Sequence, residues 1–295
     1  MTHATTHRVL GTTRLRIFHR TRFQFAEALE ACRVRTYLEP LDTLCQRLVH
    51  HHLEFLPGPH QRWQSHDDHG NLRAMARIEG AIRQLEVLAI STVEIDRRPS
   101  PAVIMDADWE AVAETSAGPH HRRFLLPTIG IAAGPAVASY ARLSFPRGAS
   151  MSEGLGDLLD RIRRDLAGDG DASPGSAKAL LRGRTGSEEL TCFVIACLRS
   201  LGLPTRFMQG YRLEGAGAPK QHAWASVWTG HDWLDVDPTL GRLGRVGHLL
   251  VAQGRDAAEV APISVQTRGG GHCWRETEIQ IREPAFSGLR LPAAC

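Results

Sequence analysis

A histidine and an aspartate stand where a predicted β-hairpin would bring them together. The segments HAWASVW and WLDVDPT flank the short polar segment Thr229–Asp232, a pattern typical of two antiparallel strands. If these four residues form the loop, Trp228 faces Trp233, and His222 lies diagonal to Asp237 on one face of the sheet, about 7 Å away. An imidazole beside a carboxylate is the base and the orienting acid of a catalytic triad. The pattern therefore predicts acyl transfer, with a nucleophile supplied by another element.

Two more residues share this predicted face. Trp224 lies between the histidine and the loop, where it would either wall a cleft or pack in the core. Asp235 is an alternative orienting acid that ranks below Asp237. His231 falls in the loop itself, where we expect it to be solvated.

The nucleophile must come from the helical region that precedes the hairpin. Apolar residues recur at helical spacing after Ser152, a plausible N-cap, and the helix is expected to end in the GDGDASPG loop. A second helix begins near Ser187 and stops at Gly202 and Pro204, and the segment TRFMQGYRL then reads as a strand. Helices followed by an antiparallel sheet predict an α+β fold. The apolar stripe of the second helix is Leu190, Phe193, Val194, Cys197 and Leu201.

The rest of the chain divides into two regions of different pattern. Residues 13–96 alternate short apolar runs with turn signals, and Val87, Ala89, Ser91, Val93 and Ile95 follow a period of two, which is typical of strands with one wet face. Residues 97–150 carry Pro and Gly without a sustained period. We predict a β-rich, sandwich-like domain over 1–96, a connecting region over 97–150, a core over 151–285 and a tail over 286–295.

Three blocks of sequence resemble the bacterial transglutaminase-like proteins. They are GSEELTCFVIACLRSLGLPTRFMQGY, QHAWASVW and DWLDVDPTLG, and their order and spacing match the family. The later HLLVAQGRDAAEVAP and TRGGG, together with RIFHRTRFQF and the DDHGN turn, are similar to the family subgroup that has its own β-rich N-terminal domain. The resemblance implies a papain-like transglutaminase core with a cysteine, a histidine and an aspartate as its triad. The histidine and the aspartate carry over to His222 and Asp237.

The chain departs from the family at the nucleophile. Counting back from Gly202, the family cysteine lies fifteen positions upstream, where this chain has Ser187, and the Gln-Asp that usually follows is replaced by Glu188 and Glu189. Cys192 occupies a position where the family commonly has a histidine. Gly254, Arg255 and Asp256 match the family's GRD segment, for which we expect a salt-bridged loop.

Three interpretations of the departure remain open. Ser187, at a helix N-terminus with free backbone amides, could attack as the nucleophile of a Ser–His–Asp triad. It could instead be a simple N-cap in a catalytically silent relative, with both glutamates complementing the helix dipole. Cys192 could act in a different register, although a buried structural thiol is its simpler interpretation.

Composition sets the remaining expectations. The 35 Lys and Arg residues against 32 Asp and Glu are scattered, which argues against a nucleic-acid partner, and no run of about 18 apolar residues indicates a membrane span. No secretory signal is visible, so we expect a cytoplasmic protein. Six cysteines lack the CxxC pairs of a metal or disulfide framework. The consecutive His50, His51 and His52 cannot converge on one ion from a strand.

We therefore expect no metal and no cofactor, and a peptide, protein-amide or small acyl substrate. Two rivals to a protein-directed acyl transfer remain. One is a silent relative that binds a peptide or a protein partner, and the other is a biosynthetic acyltransferase or cyclase acting on a small or carrier-bound substrate. The oligomeric state cannot be read from the sequence.

Overall fold

The computed structural model describes residues 12–96, 107–116, 118–131, 134–167, 175–213, 219–244 and 247–284. Two antiparallel sheets and six helices make up this part of the chain, which confirms the predicted α+β class. None of the described helices is both long enough and apolar enough to cross a bilayer. The predicted tail over 286–295, including Cys295, lies outside the described residues.

The first sheet is built on two strands of 25 residues each. Buried and more exposed residues alternate from Val87 to Ile95, as the period of two predicted. Strand order in this sheet is β10-β1-β4-β2, with β11 also pairing with β1 and β3 with β4. The members are β1 (Thr12–Thr36), β2 (Gln46–Leu56), β3 (Gln61–His66), β4 (Leu72–Asp96), β10 (Ile263–Gly269) and β11 (Cys273–Arg282).

The last two strands come from the segment predicted to complete the core. β10 pairs with the second half of β1, from Leu29↔Gly269 to Thr36↔Ile263, and β11 pairs with its first half. The C-terminal end of the predicted 151–285 core is thus part of the first sheet. Long-range pairing of this kind has no local sequence signal, so the pattern of the segment alone does not predict it.

The second sheet has the order β8-β7-β6-β5-β9 and is covered by helix α6. Its strands are β5 (Thr205–Arg212), β6 (Lys220–Trp228), β7 (Trp233–Asp237), β8 (Arg242–Leu243) and β9 (His248–Gly254). The helices are α1 (Trp109–Thr115), α2 (Pro119–Arg122), α3 (Pro135–Ser144), α4 (Met151–Ala167), α5 (Ala177–Leu181) and α6 (Ser187–Ser200). Ala223, Ala225 and Val227 of β6 share the largest hydrophobic cluster with α6.

The predicted connecting region contributes to this core. Described parts of 97–150 form α1, α2 and α3, and Val112, Tyr140 and Phe145 are buried in the same cluster as α6. These helices are short, and Pro and Gly punctuate them, so they give no sustained period from which to predict them.

The two predicted long helices are present, with different caps. Helix α4 begins at Met151, so Ser152 lies inside it, and Ser150 takes the capping role: its hydroxyl accepts from the Glu153 amide at 3.3 Å while Glu153 accepts from the Ser150 amide at 3.1 Å. Gly186 is the N-cap of α6, and Ser187 is the first helical residue. Ser187 is therefore not the N-cap that one interpretation made it.

Candidate active site

The hairpin of β6 and β7 has the predicted register. Trp228 lies opposite Trp233, and Ser226 lies opposite Asp235. In the loop, the Thr229 amide donates to the Asp232 carbonyl at 2.9 Å, which closes the turn between the strands. The diagonal pair now meets, since His222 Nε2 lies 2.6 Å from Asp237 Oδ2.

Asp237 is held by four donors in a nearly closed site. Oδ1 accepts from the backbone amides of Thr239 at 2.9 Å and Leu240 at 3.0 Å, and the residue is only 1% exposed. Oδ2 accepts from His222 and from a second imidazole, that of His248, at 2.8 Å. Burial alone would raise the pKa of Asp237, but the hydrogen bonds from both histidines and from Leu240 hold it well below its ordinary value. The carboxylate is therefore charged and fixed in orientation.

His248 is the residue that sequence reasoning missed. It begins β9, and its ring stacks on Trp224 with centroids 4.4 Å apart and planes 16° apart. β9 pairs with β5, placing His248 opposite Arg212, while Gly210 lies opposite both His222 and Leu250. The hairpin pattern predicts only the pairing of β6 with β7, and β9 lies on the other side of β5. The only available signal was the histidine that opens the family-like HLLVAQGRD segment.

The bond to Asp237 decides which nitrogen of His222 can act as a base. With the Nε2 proton directed at Oδ2, the neutral ring carries its free lone pair on Nδ1. Trp224 lies beside this ring, with centroids 6.2 Å apart and planes 20° apart. Nδ1 is thus the atom that can take a proton from an attacking hydroxyl.

Ser187 stands at the start of α6, half-buried, with Glu188 and Glu189 in the same first turn. Helix α6 leads through Gly202 into the start of β5, and it packs on β6, the strand that carries His222. Among the described residues, the Ser187 hydroxyl makes no hydrogen bond, either to His222 or to a free amide of its own helix. The structure thus joins two of the three predicted triad members and leaves the third unconnected.

Cys192 is a poor thiolate. Burial raises the pKa of its thiol to about 12, and the nearby Glu188 carboxylate adds to the effect. A thiol with this pKa is almost wholly protonated at neutral pH, which favours a structural role over a nucleophilic one.

Trp224 and Asp235 line a cavity of about 560 Å³ on the histidine face of the second sheet. Residues 41–46, at the connection from β1 to β2, also line the cavity, together with His248 and Trp233. Trp224 is 1% exposed, so it packs in the interior and borders the cavity at once. Asp235 lies opposite Ser226 and is not the carboxylate that contacts His222.

The other candidate residues have partners of their own or are exposed. Arg255 forms an ion pair with Glu259, and Asp256 accepts from the Glu259 amide at 3.0 Å, which is the expected salt-bridged loop. His231 is exposed in the hairpin loop. The His51 ring lies 2.9 Å from the Ser91 hydroxyl, whereas its two neighbours in the histidine triplet are exposed, so His51 does not share their face of the strand.

Comparisons with known proteins agree with these observations. Residues 15–94 match the model of the bacterial transglutaminase-like N-terminal region, and residues 157–238 match that of the transglutaminase-like superfamily. An "Uncharacterized protein" of Mycobacterium tuberculosis (strain ATCC 25618 / H37Rv) is 31% identical over 276 residues, covering 86% of this chain and 87% of the relative. The chain belongs to the bacterial transglutaminase-like family. An "Uncharacterized protein" of Mycobacterium bovis shows the same identity and coverage.

A solved structure shows that the fold is shared as well. The crystal structure of a protein from Cytophaga hutchinsonii, named a "Putative Cysteine Protease", superposes with a TM-score of 0.66 over 92% of this chain and 91% of that chain. Sequence identity is 17%, so this likeness concerns the fold. The fold and family are thus of the acyl-transfer and hydrolase type.

Proposed function

We propose that this chain transfers acyl groups from an amide or ester carbonyl through a Ser187–His222–Asp237 triad. The observation that carries the proposal is the 2.6 Å contact between His222 Nε2 and Asp237 Oδ2. Nε2 is bonded to a fixed, charged carboxylate, and Nδ1 of the same ring is left free to act as a base. The family's fold supports the placement of a nucleophile at the start of α6.

The reaction follows from these atoms. Ser187 Oγ attacks the carbonyl carbon while its proton moves to His222 Nδ1, and backbone amides at the start of α6 offer donors for the developing oxyanion. The imidazolium, stabilised by Asp237, then protonates the leaving amine or alcohol, and the acyl group remains as an ester on Ser187. Water or an amine resolves this ester after His222 takes its proton. No step of this chemistry requires an organic cofactor.

We take the substrate class from the nearby cavity, which is lined by Trp224 and His248 but not by the triad residues themselves. Trp224, Trp233 and His248 give it aromatic walls, and its volume of about 560 Å³ suits a small acyl group or a side chain of a peptide. A peptide, a protein amide or a small acyl compound of a biosynthetic pathway fits this description. We place the reaction in the cytoplasm.

A catalytically silent relative is the second candidate, and one observation favours it. The Ser187 hydroxyl makes no hydrogen bond to His222, whereas an assembled triad would have one. In that case the cavity would bind a peptide or a protein partner without acyl transfer.

Trapping the acyl-enzyme separates the candidates. Intact mass is measured after exposure to an activated acyl ester or a fluorophosphonate for wild type, Ser187→Ala, Cys192→Ala and the control Ser200→Ala at the other end of α6. We expect one label on wild type, Cys192→Ala and Ser200→Ala, and none on Ser187→Ala. Labelling that survives Ser187→Ala but not Cys192→Ala would transfer the role to the thiol, and labelling absent from all four proteins would favour the silent relative.

A further inference from the structure

Two residues that line the cavity each have a buried ring nitrogen without a partner among the described residues. His248 Nε2 lies 2.8 Å from Asp237 Oδ2 and donates to it, so the neutral His248 ring carries its lone pair on Nδ1, which makes no hydrogen bond. The indole Nε1 of Trp224, which can only donate, is also unpartnered. Both residues line the cavity of about 560 Å³, and unpaired buried polar atoms are costly. The two atoms together suit a bound group that both donates and accepts.

The two rings are fixed in position before any ligand arrives. The His248 side chain is 5% exposed and Trp224 is 1% exposed. Their rings stack with centroids 4.4 Å apart and planes 16° apart, so one small molecule can reach both. Because His248 also donates to Asp237, it connects the cavity with the carboxylate of the proposed triad.

The cavity has an excess of negative charge. Among its described lining residues Arg206 is the only lysine or arginine, and its guanidinium lies over the Trp233 ring, 3.5 Å from the ring centroid. Asp235 is buried and lies two residues before Asp237 on the same face of β7, about 7 Å along the strand. Carboxylates outnumber the guanidinium, so the cavity favours a cation. The carboxylates are those of Asp42, Asp96, Asp232 and Asp235.

We propose that this cavity binds the free amino end of a peptide. The protonated amine donates to His248 Nδ1 in the field of the aspartates, and the carbonyl oxygen of the same peptide residue accepts from Trp224 Nε1. A cavity of this volume, with aromatic walls, holds one or two small residues. Binding does not require acyl transfer; that the bound peptide is also the substrate of the triad rests on the proposed function.

Calorimetric titration of the full chain tests the site with three compounds. Alanylalanine amide carries both groups, propionylalanine amide lacks only the amine, and propylamine lacks the carbonyl oxygen. We expect one equivalent of alanylalanine amide to bind with equal affinity to wild type and to Ser187→Ala, since Ser187 is not among the described residues that line the cavity. Propionylalanine amide should bind at least about 10-fold more weakly, because it gives His248 Nδ1 no donor and the aspartates no cation.

Two substitutions test the individual atoms. Trp224→Phe keeps an aromatic ring against His248 and removes the indole N–H, so it should weaken alanylalanine amide roughly 3- to 10-fold and leave propylamine unchanged. Trp63→Phe is the matched control, because Trp63 is an exposed residue of β3, and it should change neither affinity. His248→Phe keeps the stacked ring and removes the acceptor, so it should weaken both amines. Circular dichroism checks that the variants are folded.

Three results would overturn the proposal. They are equal binding of alanylalanine amide and propionylalanine amide, unchanged binding of alanylalanine amide in Trp224→Phe, and the absence of saturable binding to wild type. The last result would mean that solvent alone satisfies the two ring nitrogens. Failure of the acyl-enzyme proposal gives a different pattern, because a protein that takes no label still binds the peptide amide.

Discussion

The two halves of the candidate site are held very differently. Asp237, at the end of the hairpin, has hydrogen bonds to two imidazoles and two backbone amides, and it is almost completely buried. Ser187, at the start of α6, is half-buried, and among the described residues its hydroxyl has no hydrogen-bond partner. The proposed base and its carboxylate are thus held by the sheet, whereas the proposed nucleophile lies at the end of a helix.

Removing the Asp237 carboxylate should have the largest effect on stability. Asp237→Ala leaves two backbone amides and two imidazoles without their acceptor, and breaking such a buried polar group costs about 3–5 kcal/mol. Urea unfolding measures the change. Asp160→Ala is the control, because Asp160 is exposed and its pair with Arg163 contributes less than about 1 kcal/mol. Equal losses in the two variants would show that the hairpin end is not held as described.

The hairpin end is also supported by a buried histidine from the first sheet. His19 Nδ1 lies 2.7 Å from the hydroxyl of Tyr211, which is opposite Gln221 in the sheet. Burial, with a smaller effect from Arg275, lowers the pKa of His19 to about 4. The unfolded chain, with an ordinary pKa near 6.5, then binds more protons than the fold between pH 6.5 and 4, so stability falls as the pH falls through that window.

The expected loss from His19 is roughly 3 kcal/mol across this window. Urea unfolding at pH 7 and at pH 4.5 measures it in wild type and in His19→Gln, which keeps a polar side chain beside Tyr211. The variant should lose less stability on acidification than wild type. His51, whose pKa is also lowered to about 4, remains in both proteins, so its contribution cancels. Parallel pH profiles would contradict the buried, neutral state of His19.

The smallest expected effect is the difference in stability loss between alanine variants of two serines at helix starts. The Ser176 hydroxyl caps α5 by accepting from the Ala179 amide at 3.3 Å, and Ser176→Ala should cost about 1 kcal/mol. Ser187 makes no such bond, so Ser187→Ala should change stability by less than about 0.5 kcal/mol. Thermal unfolding of both variants tests this. A larger loss for Ser187→Ala would mean that its hydroxyl serves the helix, which would support the silent relative.

Local patterns were enough to predict the hairpin but not its surroundings. The period of two and the short polar loop place His222 beside Asp237, because register follows directly from loop length. His248 reaches the same carboxylate through β9, and β11 joins β1 from the far end of the chain; both depend on pairings between distant segments. The helices of 97–150 were missed for a different reason, since short helices lack a sustained period.

The helix caps show a second limit of sequence reasoning. Ser150, not Ser152, caps α4, and Gly186, not Ser187, is the N-cap of α6. In both cases several acceptable cap residues stand close together, and tertiary packing decides among them. This difference matters at α6, because it frees the Ser187 hydroxyl from a capping role.

The rate at which Ser187 is labelled, with and without its base, tests the central claim most directly. Wild type and His222→Gln are treated with the same activated acyl ester, and the labelled peptide is identified by mass spectrometry. We predict a label on Ser187 in wild type and a rate at least about 1,000-fold lower in His222→Gln, since triad members act as a unit. Equal rates in the two proteins, or a label on another residue, would contradict the account.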